Sequence, residues 1–377
     1  VIDFDGIHRE LYPAAARSAY LDTAAVGIIS RPVRQAMDAV TEDHLLFGGA
    51  HWDARAAVIS GARGTLARLI GGRGDHVAFT QNTSTGLAIV ANGIDWRAGD
   101  GLVVPAGEFP SNFYPWTRLR RRGVEVRAVQ MRQGHAETAD IRARIDGSTR
   151  VLALSAVQYS SGFRYDLEEL GRLCRDAGVL FVVDGTQAVG ALDVNAGRAD
   201  IDVLAVSAHK WMLGPTGVGF VHLSRRALEM LQPSTVGWLS VDDPFAFDRE
   251  PRLAPDARRF ESGTENAAGI AGMAAAADLV LSAGVQVVES RVLDTVRVLE
   301  EALRERGWSC PTESPDARRS GILIASSGGD DGAMHRRLLD RGVRCSLRGG
   351  GIRFAPHYFT NSDDVRQVLD AIATLGT

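Results

Sequence analysis

Apolar residues fall along the chain in short continuous runs separated by longer stretches of helical spacing. Residues 76–80, 102–105, 124–129, 150–156, 179–183, 203–206 and 218–221 read as strands. Between them, 87–94, 112–121, 139–145 and 167–177 read as helices. Strands alternating with helices at this spacing predict an α/β fold, a mostly parallel sheet with crossover helices. Ahead of it lie a lead-in at 1–19 with a short helix around 9–17, an extended piece at 20–25, and helices at 32–46 and 54–70, the second closed by Gly71-Gly72. After Leu223 the pattern changes. Residues 225–260 are irregular, with a surface helix. An Ala- and Gly-rich helix at 266–281 and an amphipathic helix at 288–306 follow. A strand-helix-strand-helix set then runs over 322–325, 334–339, 352–355 and 363–375. The length of 377 residues exceeds one typical core. The expected division is a large domain over 20–282 and a smaller α+β domain over 283–377, with 1–19 packing on the latter.

Composition narrows the function classes. Hydrophobic content is 45% and charged content 23%, ordinary for a globular chain. A net charge of −4 gives no electrostatic case for nucleic acid or an anionic membrane. The basic run Arg118-Leu-Arg-Arg-Arg122 falls at the end of an expected helix, where a solvated face accounts for it. Three scattered cysteines, Cys174, Cys310 and Cys345, make neither a disulfide framework nor a zinc site, so no metal is expected. No apolar run is long enough to span a bilayer, and the N-terminal Val-Ile-Asp-Phe-Asp-Gly shows no signal peptide. The expected location is cytoplasmic.

The chemistry concentrates at strand ends. The run at 203–206 gives way to Ser207, His209 and Lys210, and a Gly214-Pro215 turn leads into the next strand. Upstream, Val179-Leu-Phe-Val-Val183 closes on Asp184, a carboxylate that needs a partner if its strand is buried. A pyridinium nitrogen is one such partner. A lysine Schiff base with an acid on the ring nitrogen is the protein's share of pyridoxal phosphate chemistry. The strand at 76–80, the polar turn Gln81-Asn-Thr-Ser-Thr-Gly86 and the helix after it form an anion site of free backbone N–H groups, or else a plain N-cap.

Together, "VVDGTQAVG" and "SAHKWMLGPTGVGF" resemble the class V aminotransferase superfamily of pyridoxal 5'-phosphate enzymes, which includes cysteine desulfurases, isopenicillin N epimerase-like proteins and kynureninase. The resemblance runs from Tyr20 to Ile372. It implies a fold-type I enzyme, with a mostly parallel seven-stranded sheet flanked by helices and a smaller C-terminal domain. It also implies the roles that follow. Lys210 holds the cofactor as a Schiff base and then acts as base for the substrate α-proton. Asp184 pairs with the pyridinium N–H and Gln187 with the phenolic oxygen. Ser84, Thr85, Ser207 and His209 take the phosphate, with Asn112 on the phosphate side. Phe109 stacks over the ring where desulfurases carry a histidine. Gln158, or Tyr159 beside it, replaces an asparagine near the ring. Thr264, in Glu261-Ser-Gly-Thr-Glu-Asn266, reaches the neighbouring active site of a homodimer, and Arg353 grips the substrate α-carboxylate.

One family feature is missing. Desulfurases need a nucleophilic cysteine on a mobile loop upstream of the carboxylate arginine, and 326–341 holds none. Cys345 lies in Gly342-Val-Arg-Cys-Ser, which reads as strand entry and a buried thiol. The expected activity is a C–S lyase on a cysteine-derived or other sulfur-containing amino acid, giving pyruvate and ammonia from a cysteine conjugate. An epimerase or aminotransferase shares its first proton transfer and stays open, and a desulfurase is disfavoured. The rival of another class is a catalytically silent domain kept for assembly. Tyr159, His51 and His357 are candidates, by residue type, for the acid that protonates the leaving sulfur.

Overall fold

The computed structural model describes residues 10–310 and 316–373, so the lead-in at 1–9 and the end of the expected 363–375 helix lie outside the described residues. In chain order the strands are β1 (Ala19–Tyr20), β2 (Val77–Thr80), β3 (Gly101–Pro105), β4 (Glu125–Val129), β5 (Thr149–Ser155), β6 (Leu180–Asp184), β7 (Val203–Ser207), β8 (Gly219–Leu223), β9 (Leu323–Ala325), β10 (Val343–Arg344), β11 (Ser346–Arg348) and β12 (Gly351–Phe354). Seven of them form one sheet in the order β2-β8-β7-β6-β5-β3-β4. All neighbours run parallel except β8, which is antiparallel to β2 and β7. The exception follows from the connection: the loop 208–218 joins β7 to β8 without a crossover helix, as antiparallel neighbours allow.

The continuous apolar runs of β5, β6 and β7 are explained by burial on both faces. Leu152, Leu154, Phe181, Val183, Leu204 and Val206 enter one core layer. Their alternating neighbours Val151, Ala153, Leu180, Val182, Val203 and Ala205 enter the other. A third core joins Ala19 and Leu21 to Leu299, Leu303, Trp308, Ile352, Phe354 and Val368. Here β1 pairs with β10, and β11, β12 and β9 form a three-stranded antiparallel sheet. Helices Ala267–Ala283 and Val285–Glu305 meet at an angle of 84° around Gly284, whose φ of +86° suits glycine. The proposed division at 282/283 runs through this corner. Among the described residues no single helix is long and apolar enough to cross a membrane.

Two local expectations change. The helix expected from 87 begins at Thr83, because Asn82 accepts the Thr85 amide and caps it four residues before the apolar pattern starts. The helix expected over 112–121 is broken into a 3-10 turn Pro110–Asn112, a helix Tyr114–Leu119 and a 3-10 turn Arg120–Arg122, which Gly123 ends at φ +79°.

Candidate active site

Lys210 is the only lysine in the sequence, and it sits on the turn between β7 and β8. Backbone bonds hold that turn: Ala208 N–H donates to the Val218 carbonyl, Gly214 to Ala208 and Leu213 to Lys210. Leu213 adopts φ +56°, a left-handed conformation that costs a branched side chain energy. Fixed neighbours enforce it. Trp211 is fully buried, its indole donates to Gln187 Oε1 at 2.7 Å, and its carbonyl accepts from His357 Nε2 at 2.8 Å. From the other side Gly27 donates to the His209 carbonyl, and a Cβ on Gly27 would come within 2.2 Å of the Lys210 carbonyl oxygen. The Lys210 ammonium stands 5.3 Å from the centre of the Phe109 ring. Burial lowers its pKa; Asp184 opposes this, and the charges of Arg353 and Arg348 add to the lowering. The shift is toward the neutral amine, the form that works as nucleophile and base.

Asp184 ends β6 and is buried. Its Oδ1 accepts the Thr186 amide at 2.9 Å. Burial raises its pKa, while Thr186 and Lys210 pull it down, so the carboxyl still lacks a full cationic partner. Ser207, expected on the phosphate, is used otherwise. Its hydroxyl accepts the Thr83 amide at 2.9 Å and bonds the Thr83 hydroxyl at 2.8 Å, and Thr83 in turn bonds Thr186. These three hydroxyls tie the first turn of helix Thr83–Gly93 to the Asp184 and Lys210 strand ends. Gly86 permits the approach, since a Cβ there would lie 2.9 Å from Ala205 Cβ. Ser84 and Thr85 stay exposed at the helix N-terminus, with Ser84 bonded to Ser111 Oγ. His209 is half-buried, its pKa lowered by burial and by Lys210.

Of three expected cofactor contacts, Asn112 and Gln158 bond inside the protein and Gln187 does so only in part. Gln187 donates from Nε2 to the Ala24 carbonyl and accepts from Trp211, which leaves one Nε2 hydrogen for a phenolic oxygen. Asn112 is fully buried between Glu108 and the Trp116 indole. Gln158 is likewise fully buried, its Nε2 donating to Glu108 at 2.8 Å. Both serve Glu108, which the sequence reading passed over. The Glu108 carboxyl also receives the Ser155 amide and the Ser155 hydroxyl. Burial raises its pKa to about 7; the Asp184 charge adds to this, and the Ser155 and Gln158 bonds oppose it. A raised carboxyl favours the fold fully below the unfolded value, and that contribution is lost as pH climbs through about 7. Between pH 5 and pH 8, Glu108→Gln in the cofactor-free protein should therefore gain up to about 3 kcal/mol relative to wild type. Urea melts at both pH values check this; a wild-type-to-variant gap independent of pH would refute the assignment.

Arg353 lies buried on β12. It donates to the Tyr159 carbonyl at 3.3 Å and stands 3.6 Å from Asp22 Oδ1, while among the described residues its Nε has no partner. The Tyr159 ring packs edge-on against Phe109 at 5.2 Å. Lys210, Phe109, Tyr159 and Arg353 thus form one continuous wall, and Tyr159 is the acid candidate that the structure brings to it. His357 is excluded. It is fully buried, Nδ1 accepts the Tyr358 amide, Nε2 donates to Trp211, and burial drops its pKa to about 4. His51 bonds Asp43 and stacks near Phe47, with no contact to the Lys210 group. Thr264 is also apart. It lines a cavity of about 870 Å³ with Trp52, Phe245 and Glu261, and Lys210 is not on that wall. Arg63 holds Glu261 in a two-bond fork at 2.5 and 2.6 Å, and Glu261 accepts the Phe79 amide of β2.

The residues present fit pyridoxal phosphate. Asp184 offers a buried carboxyl for a pyridinium N–H, Lys210 an amine whose pKa burial lowers, and Phe109 a ring face beside it. The Ser84 and Thr85 hydroxyls, exposed at the start of helix Thr83–Gly93, offer an anion site. Among the described residues no group of three His, Cys, Asp or Glu side chains forms a metal cluster.

Comparison with known proteins follows the same line. The family model for aminotransferase class V matches residues 19–356. A probable cysteine desulfurase of Methanothermobacter thermautotrophicus is 30% identical over 342 residues, covering 84% of each chain. The isopenicillin N epimerase of Streptomyces clavuligerus is 29% identical over 338 residues, covering 85% of each. Among solved structures, the cystine C–S lyase C-DES, in complex with its reaction product cysteine persulfide, matches 96% of this chain and 99% of its own. The TM-score is 0.88 at 24% identity.

Proposed function

The chain belongs to the class V aminotransferase family, and on that premise we propose that it is a pyridoxal-phosphate-dependent C–S lyase acting on a cysteine-derived or other sulfur-containing amino acid. The observation that carries the reading is a complete Lys210, Asp184 and Arg353 set without an accessible thiol. All three cysteines are buried. Burial pushes the Cys345 thiol up to about 12, with the Asp22 charge adding to it, so at neutral pH it is not a thiolate nucleophile. The similarity to a cystine C–S lyase supports the same choice.

When bound, the cofactor withdraws electrons from the α-carbon of an amino acid attached to it, which makes the α-proton removable. The chain's own residues do the rest. Asp184 would pair with the ring nitrogen, and Phe109, beside Lys210, would supply an aromatic face for the ring. The Arg353 fork fixes the α-carboxylate and so orients the α-hydrogen. Lys210 takes that proton as its amine is freed. Tyr159 would give its proton to the departing sulfur, and water would convert the unsaturated amino acid left after release into pyruvate and ammonia. Epimerisation and transamination begin with the same proton transfer and differ only in where the proton returns.

Purified holoenzyme incubated with L-cysteine, L-cystine and S-substituted cysteines should yield pyruvate and ammonia, and Cys345→Ala should leave that turnover nearly unchanged. Alanine with a protein-bound persulfide, lost in Cys345→Ala, would sink the lyase reading in favour of a desulfurase. Incorporation of α-deuterium without pyruvate would instead favour the epimerase.

The same proposal includes a second copy of the chain. Leu45, Leu46, Phe47, Phe245 and Phe247 are exposed, and Phe245 also lines the Thr264 cavity. Covering this face with a second copy would bury it and carry Thr264 toward the neighbour's phosphate site. A sedimenting monomer at micromolar concentration would refute this.

A further inference from the structure

Resting on the reading of the Lys210 wall as an amino-acid site, we propose that Arg348 forms a second anion subsite beside Arg353, which selects substrates carrying a distal carboxylate on the sulfur side chain. The register supplies the first argument. β11 and β12 pair antiparallel with Ser346 opposite Arg353, Leu347 opposite Ile352 and Arg348 opposite Gly351. Strand alternation puts Ser346, Arg348 and Arg353 on one face of the hairpin, with Leu347 and Ile352 on the other. Arg348 and Arg353 are then diagonal neighbours with backbones roughly 7–8 Å apart. That face is the one from which Arg353 reaches the Tyr159 carbonyl.

The hairpin turn supplies the second. Gly349 and Gly350 take φ of +64° and +84°, and a Cβ on Gly349 would come within 1.9 Å of the Ser160 carbonyl oxygen. The turn is therefore laid directly on the segment whose Tyr159 ring meets Phe109, which in turn faces the Lys210 ammonium. Arg348 enters this wall from the side of the turn, one residue before the contact.

The third argument is occupancy by charge. Among the described residues the exposed Arg348 guanidinium has no ion pair or hydrogen bond, while Arg353 is partly engaged by Asp22 and the Tyr159 carbonyl. Its positive charge is felt at both Lys210 and Arg353. Two guanidinium groups on one hairpin face, one buried and one open, suit an amino acid with an anion at each end. The α-carboxylate would go to the buried group. A carboxylate carried beyond the sulfur, as in a disulfide or thioether of a carboxylic acid, would go to the open one.

The test separates this subsite from the lyase reading. Glutarate, adipate and butyrate are titrated into holoenzyme by calorimetry, with wild type, Arg348→Ala, Arg348→Lys and Arg353→Ala compared. Wild type should bind one of the two dicarboxylates about tenfold tighter than butyrate, a gain that weakens at high salt. Arg348→Ala should erase that preference without weakening butyrate, Arg348→Lys should restore part of it, and Arg353→Ala should weaken all three ligands. Equal affinity for the three in wild type, or an equal loss for all three in Arg348→Ala, would overturn the subsite whatever the enzyme turns over. Turnover adds a second readout, with S-(2-carboxyethyl)-L-cysteine preferred over S-propyl-L-cysteine through KM. If neither is consumed while the dicarboxylate preference holds, the lyase reading fails and the subsite stands.

Discussion

Lys210→Ala should abolish turnover of any sulfur amino acid and leave the chain unable to hold the cofactor covalently. Borohydride treatment of wild-type holoenzyme should fix a pyridoxyl label in the peptide containing Lys210, and the same treatment of the variant should release all cofactor on denaturation. The prediction is unusually clean because the sequence contains no other lysine, so no second ε-amine can substitute. Loss of the base alone costs about 10²–10⁴-fold in rate. Loss of the covalent tether adds to that. The variant should still fold, since the turn carrying residue 210 is held by backbone bonds and by Trp211, not by the lysine side chain. A label recovered elsewhere in wild type, or activity within tenfold of wild type in Lys210→Ala, would remove this residue from the mechanism.

The same strand ends explain what was legible from the sequence. β6 and β7 are apolar throughout because both faces of the sheet are covered, and each run stops abruptly at a charged or polar group. A reader can see Asp184 and Lys210 at those stops without coordinates. Arg353 was singled out only through the family resemblance, since a charge next to a short apolar run reads by itself as a surface group; it lies buried on β12. What was not legible is which polar neighbour each amide and hydroxyl would choose. Ser207, Asn112 and Gln158 have suitable chemistry and stand close to the site, yet their partners are Thr83, Trp116 and Glu108. Ser207 and Thr83 are separated by 124 positions and Gln158 and Glu108 by 50, distances over which sequence pattern carries no pairing information. His357 failed as an acid for the same reason: its ring is satisfied by Trp211, from 146 positions away. Glu108 offered a signal, since a carboxylate three residues after the buried β3 must find donors or stay neutral. Arg348 offered one only through strand register. The start of helix Thr83–Gly93 was hidden because capping chemistry, not hydrophobic period, sets where a helix begins.

Arg63→Ala should be the most damaging substitution outside the Lys210 wall. Arg63 and Glu261 are both buried. The guanidinium makes two bonds to the carboxylate, donates to the Val77 carbonyl at 2.9 Å and lies 4.4 Å from the centre of the Phe79 ring. Removing it strands a buried carboxylate and empties the space under Phe79. Breaking such a pair costs roughly 3–5 kcal/mol, because the remaining charge is left desolvated. A lower urea midpoint, displaced by that loss divided by the slope, with the slope unchanged, is the expected result. Arg63→Lys should recover only part, since a point charge cannot reproduce the fork. The consequence reaches function through Glu261, which also accepts the Phe79 amide and so pins the segment that leads to Thr264 onto β2. β2 continues into the Asn82 cap and the hydroxyl-bearing first turn of helix Thr83–Gly93. One buried pair thus registers the Thr264 loop against the strand that supplies the anion site. Arg63→Ala should accordingly lower cofactor affinity even at urea-free temperatures where the chain remains folded, measured by dialysis of holoenzyme. A stability change below about 1 kcal/mol would mean that the fork is solvent-compensated and that the loop is positioned by other contacts.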